Sequence, residues 1–189
     1  CIVLSCTEGF KDANNTGSDG CELPWQPDGE LWVDSWEGGT FEGGFDGSEE
    51  LPFSTIQEAV EYAFEDYVIH VQEGIYNEKV VVDVPNVLIL GAGTDLVFVS
   101  APLYGTGFLV LSNGVTVKGM TINSGQRGVH FMGTPGKQLQ GGSAANLNIT
   151  SIKGQDGTEE ATAGVLIEYA QDLSISAVEI ANVTGGSGP

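Results

Sequence analysis

The sequence predicts an all-β protein: a single-stranded parallel β-helix with one N-terminal capping α-helix. Three observations carry this expectation. Short β-rich runs follow one another from Tyr67 onward, four similar lines recur at near-constant spacing, and only one amphipathic helical stretch precedes them.

Composition sets the frame. The 189 residues can close one sizeable core, and 6 basic against 26 acidic residues give a net charge of −20. Such a surface repels phosphate backbones and anionic membranes, which excludes nucleic acid as a partner. No apolar run approaches the roughly 18 residues that a transmembrane helix needs. Glycine supplies 28 residues, about twice the usual share, so many turns are expected.

Three segments follow in order. Residues 1–23 are polar and lack a hydrophobic period, so a bridge or a metal must hold them as an acidic stub. Cys1, Cys6 and Cys21 all fall here, a clustering that fits a disulfide-tied segment in an oxidising compartment and predicts a secreted or cell-surface protein. One cysteine is left over, and for Cys1 an upstream partner, a lipid and a free thiol all remain open. Residues 24–66 form a cap segment. It holds Trp25, Trp32 and Trp36, one short strand at Leu31-Trp32-Val33, and a helix over 54–64 with Ser54 as N-cap and Ile56, Ala59, Val60 and Ala63 on one face. Residues 67–189 carry the β runs. Their apolar anchors Val87, Val115, Leu147 and Leu173 lie 28, 32 and 26 residues apart, with Asn86, Asn113-Gly114 and Asn146 as recurring corners. An antiparallel sandwich is the rival, but hairpin signals are scarce. The chain stops just after a β run with no second cap, which predicts either a piece of a longer protein or a last coil that associates with a partner or with itself.

The stretch Leu31-Trp32-Val33-Asp34, the acidic glycine loop through Asp46-Gly47-Ser48, and Leu51-Pro52-Phe53-Ser54-Thr55-Ile56-Gln57 resemble the entrance to pectin-lyase-like right-handed parallel β-helix proteins. The continuation Ile69-His70-Val71-Gln72-Glu73-Gly74-Ile75-Tyr76-Asn77-Glu78 strengthens the resemblance, which spans about residues 31–185. It implies a right-handed helix of about four coils. It leaves the chemistry open, because that superfamily includes lyases, esterases, glycosidases, spikes and adhesins. Cys6 to Glu22 is similar to short modules of secreted bacterial surface proteins, and that resemblance implies a Cys6–Cys21 bridge.

Candidate chemistry is sparse. Asp12, Asn14, Thr16, Ser18 and Asp19 place oxygen ligands around Gly17 as in the opening of a calcium loop, although the closing Glu22 comes one place early and Asx turns use the same residues. A uronate lyase needs a base and cations. Here Lys118 faces outward by strand parity, while Arg127 shares phase with inward Val129 and Phe131 and falls at a corner. No aspartate pair suits a hydrolase. His70 and His130 are expected on outward, exposed positions, as lone histidines unsuited to a metal. Trp32 and Trp36 offer faces for sugar rings or for packing the cap. Asn14, Asn148 and Asn182 open glycosylation sequons. The leading expectation is a structural or adhesive surface module with no catalytic site of its own. The alternatives are an enzyme of lyase or hydrolase type, or its remnant, acting on extracellular polysaccharide, and a non-catalytic glycan-binding module.

Overall fold

A computed structural model describes residues 10–11, 23–24, 29–35, 46–123, 125–155 and 161–185. Over the described residues the protein is all-β, with parallel sheets and one short helix. In chain order the elements are β1 (Phe10–Lys11), β2 (Leu23–Pro24), β3 (Glu30–Val33), α1 (Ile56–Tyr62), β4 (Val68–Val71), β5 (Gly74–Tyr76), β6 (Val80–Val82), β7 (Leu88–Gly91) and β8 (Val97–Ser100). There follow β9 (Thr106–Val110), β10 (Thr116–Asn123), β11 (Arg127–Met132), β12 (Leu139–Gln140), β13 (Ser143–Thr150), β14 (Ala163–Glu168), β15 (Ala170–Gln171) and β16 (Ser174–Ala181).

Apart from the antiparallel pair β1–β2, every named strand pairs in parallel. One ladder runs β3-β4-β7-β10-β13-β16, with β5 and β8 joining it along the second half of β10; another runs β6-β9-β11-β14, and β12 pairs with β15. Alternation of apolar and small or polar residues sends every second side chain inward. Leu31, Ile69, Ile89, Val117 and Ala144 form one buried register row, Tyr76, Val99, Ile122 and Ile149 a second, and Val82, Val110 and Phe131 a third. Each such side chain larger than alanine contributes about 1.5–3 kcal/mol by leaving water. The rows end in the open: Ile175, Ile180 and Ile167 continue them at 43%, 50% and 46% exposure.

Register corrects one expectation. Leu147 stands across from Met120, and Asn146 lies one residue before it, in line with Gly119, so neither belongs in the row of Val115 and Asn113-Gly114. The corner that begins at Asn86 continues through Gly114 and Gly141 to Asp172, with φ of 58°, 67°, 67° and 56°. These are left-handed conformations that Asn, Asp and Gly tolerate best. A second left-handed corner holds Gly119, Asn146 and Ala177.

The helix is shorter than the sequence suggests. Thr55, not Ser54, is its N-cap, in extended conformation and accepting from the Glu58 N–H at 3.1 Å. Ala63 ends it, and Ile56, Ala59 and Val60 face the core against β3, β4 and β6. The remaining N-terminal donors are met from a distance, because the Glu78 carboxylate accepts from the N–H groups of Ile56 and Gln57, each at 2.9 Å.

Glu78→Ala is therefore expected to lower stability by about 1–3 kcal/mol, since two half-buried donors lose their acceptor. Burial raises the Glu78 pKa above the usual carboxylate range, against the opposing pull of the two N–H groups. Between the unfolded value and that raised value the native state alone holds the proton. Stability from this group is therefore greatest in acid and is lost as pH rises through the native pKa. Glu78→Gln should remove this component, which urea titrations at a series of pH values would show; an unchanged pH slope counts against it.

Candidate functional site

The outer face of the β6-β9-β11-β14 sheet carries a groove of about 480 Å³. Lys79, Thr106, Arg127, His130 and Glu168 supply its polar lining, and Leu109, Met132 and Leu166 its apolar part.

Glycine explains how Arg127 reaches it. Strict alternation from Val129 would turn Arg127 inward, but a Cβ built on Gly128 would stand 2.6 Å from Ile149 Cγ2, itself in the core, and 2.6 Å from the Gly164 carbonyl oxygen. Gly128 thus takes an inward place in succession with Val129, and Arg127 turns out to the groove. The neighbouring strands repeat the device. Gly107 and Gly164 flank Gly128 in register, and a Cβ on either would press on Ile122 or Ile180. Arg127 does open β11 directly after the bend at Gly125-Gln126, at a corner as its phase suggests, and the second successive inward position, Gly128, is what turns its side chain outward.

His130 does point away from the core rows, yet it is 5% exposed, which overturns the expectation of an exposed histidine. Leu109 and Leu166 stand beside it in register. Its Nε2 lies 2.7 Å from Glu168 Oε2. Burial lowers the imidazole pKa below its ordinary value, the Glu168 carboxylate opposes that shift through hydrogen bond and charge, and Arg127 adds to it. The ring is accordingly neutral near pH 7, and because a carboxylate oxygen only accepts, Nε2 carries the proton and Nδ1 the basic lone pair. The groove thus gathers two of the chain's six cationic residues, a neutral histidine and one carboxylate. Among the described residues that line it the formal charge is 2 − 1 = +1, on a chain of −20. Such a set can pair an anionic group and hydrogen-bond hydroxyls.

Lys118 faces outward on β10, half-buried in register with Leu90 and Ala145, and does not line this groove. Trp32 is half-buried on β3, its ring stacked on that of His70 at 4.2 Å and 16°. His70 Nε2 lies 3.4 Å from Glu30 Oε2, and Trp32, His70 and Leu90 line a separate pocket of about 300 Å³. One face of Trp32 is thus already occupied by protein. Trp36, the calcium set Asp12, Asn14, Thr16, Ser18 and Asp19, and the pair Cys6 and Cys21 lie outside the described residues.

Glu168 and Lys79 were not singled out by sequence. Glu168 lies 38 residues from His130, and only the register of β11 against β14 unites them. The available signal was the glycine row, whose members each precede an inward apolar residue: Gly107-Phe108, Gly128-Val129 and Gly164-Val165. Among the described residues no cluster of three or more His, Cys, Asp or Glu side chains is arranged to hold a metal, and no helix is long and apolar enough to cross a membrane. No family model, curated protein or solved structure matches the chain.

Proposed function

We propose that the chain forms coils of a right-handed, single-stranded parallel β-helix that serves as a secreted or cell-surface structural or adhesive module, and that it holds a glycan in the outer groove. Support for the winding comes from three parallel ladders followed in the same chain order, so that β4, β5 and β6 lie one repeat before β7, β8 and β9. A right-handed sense follows the strong preference of parallel crossover connections. The amphipathic α1 packed against the first strands suits the resemblance to pectin-lyase-like proteins, and rigid stacking suits a surface scaffold.

The single observation that carries ligand binding is the convergence of Lys79, Arg127, His130 and Glu168 in one groove. Arg127→Gln together with Lys79→Gln is expected to weaken binding of a glycan oligomer at least tenfold, as for the loss of two partly exposed charged contacts worth about 1.4 kcal/mol or more in sum. Circular dichroism of the double variant should match the parent. Equal affinity of parent and variant would remove the groove as the site. Release of shortened or unsaturated sugars during the same assay would replace the binding reading with a catalytic one.

A further inference from the structure

We infer that the groove binds an anionic group of its ligand together with a proton, His130 being the acceptor of that proton and Arg127 and Lys79 the fixed cations. This rests on the groove being a ligand site, as proposed above.

His130 is nearly enclosed, yet it borders the groove and is held at 2.7 Å by Glu168, whose side chain is 48% exposed. Among the described residues, the charged or titratable groups lining the groove beside His130 are Arg127 on the same strand, Glu168 on β14 and Lys79 just before β6; β9 contributes Thr106 and Leu109, which do not titrate. In the free site the ring gives up its proton readily because charge is poorly solvated there and Arg127 repels it. A carboxylate or sulfate seated by Arg127 and Lys79 reverses that balance. It cancels the guanidinium's repulsion and adds negative charge beside a ring already bonded to Glu168, so the imidazolium becomes the favoured form. Linkage makes the effect reciprocal: if the anion promotes proton uptake, acid promotes anion binding.

The affinity for an anionic ligand should therefore rise as pH falls from about 7.5 to about 5.5, by no more than about tenfold per unit for one proton. The ligand's own anion must not titrate in that window. Sulfate esters satisfy this, uronate carboxylates nearly so, and a neutral oligomer offers no anion at all.

The test is titration calorimetry of the whole chain with a dextran sulfate oligomer, an oligogalacturonate and an unmodified dextran oligomer, each in two buffers of different ionisation heat. The two buffers count protons taken up on binding. Tighter binding in acid with net proton uptake, lost in His130→Gln, is the expected result. Glu168→Gln changes a half-exposed side chain and removes the carboxylate that favours the imidazolium. It should move the acid enhancement to lower pH, and it decides the matter if His130→Gln fails to fold. Binding of either anionic oligomer with no proton uptake and no pH dependence would overturn this inference and leave the groove reading standing. Binding of unmodified dextran alone would overturn it too. Binding of none of the three would remove the groove reading itself. Response to dextran sulfate and not oligogalacturonate, or the reverse, identifies which anion the site accepts.

Discussion

Replacing Gly128 with valine should destabilise the protein by about 3 kcal/mol and abolish the ligand binding proposed for the outer groove. The first atom of the new side chain would already meet the Gly164 carbonyl oxygen and the Ile149 Cγ2 at 2.6 Å, and the two further methyl groups have only core to enter. Backbone cannot retreat without loosening β11 from β14, and that register is what sets Glu168 against His130. Gly136 provides the control, because nothing lies within 4 Å of a Cβ built there. Gly136→Ala should change stability by no more than about 0.5 kcal/mol. Urea denaturation of both variants checks the pair; a Gly128→Val protein as stable as the Gly136→Ala control would contradict the close packing of the glycine row.

The second large effect is expected at Phe108. Its ring is fully buried, with Val80 and Val129 on either side in the ladder. Truncation to alanine deletes most of a ring from a place closed on both sides, so a cavity remains and the loss should reach about 3–5 kcal/mol. Phe131→Ala removes the same chemistry one strand further along, where the next residue in the row, Ile167, is already 46% exposed. Water and side chains can relax into that gap, and the cost should lie at or below the lower end of the same range. Thermal melts would then rank Phe108→Ala below Phe131→Ala; the opposite order would mean that the rows are not closed where they are drawn.

Much of this architecture was legible from the chain. Val, Ile and Leu at alternate positions mark strands wherever they fall, and Pro52-Phe53-Ser54-Thr55-Ile56-Gln57 marks the start of a helix, missing the N-cap by a single residue. Register was harder to read, for a physical reason. Ala144 fills an inward place opposite Val117, but alanine gives little hydrophobic signal, so the eye passes to Leu147 and aligns it with the wrong partner. The outward turn of Arg127 into the groove was hidden for a similar reason, since an inward glycine has no side chain to count. Glu78 shows a third kind: its two bonds to the first turn of α1 span more than twenty residues, and no local pattern announces them. The groove inherits all of these difficulties, because it is assembled from strands whose spacing in sequence varies while their spacing in space does not.

The two edges of the long ladder, as described, differ in kind. At one, α1 lays Ile56, Ala59 and Val60 over the first strands; at the other, β16 leaves Ile175 and Ile180 in water and has no described strand along its far edge. Among the described strands, opening should therefore be polarised, with β16 peeling away before the strands beside α1. Because Glu168 lies on β14, near the exposed edge, while Lys79 lies beside the covered one, early fraying would dismantle the groove from its carboxylate side while the core beneath α1 was still intact.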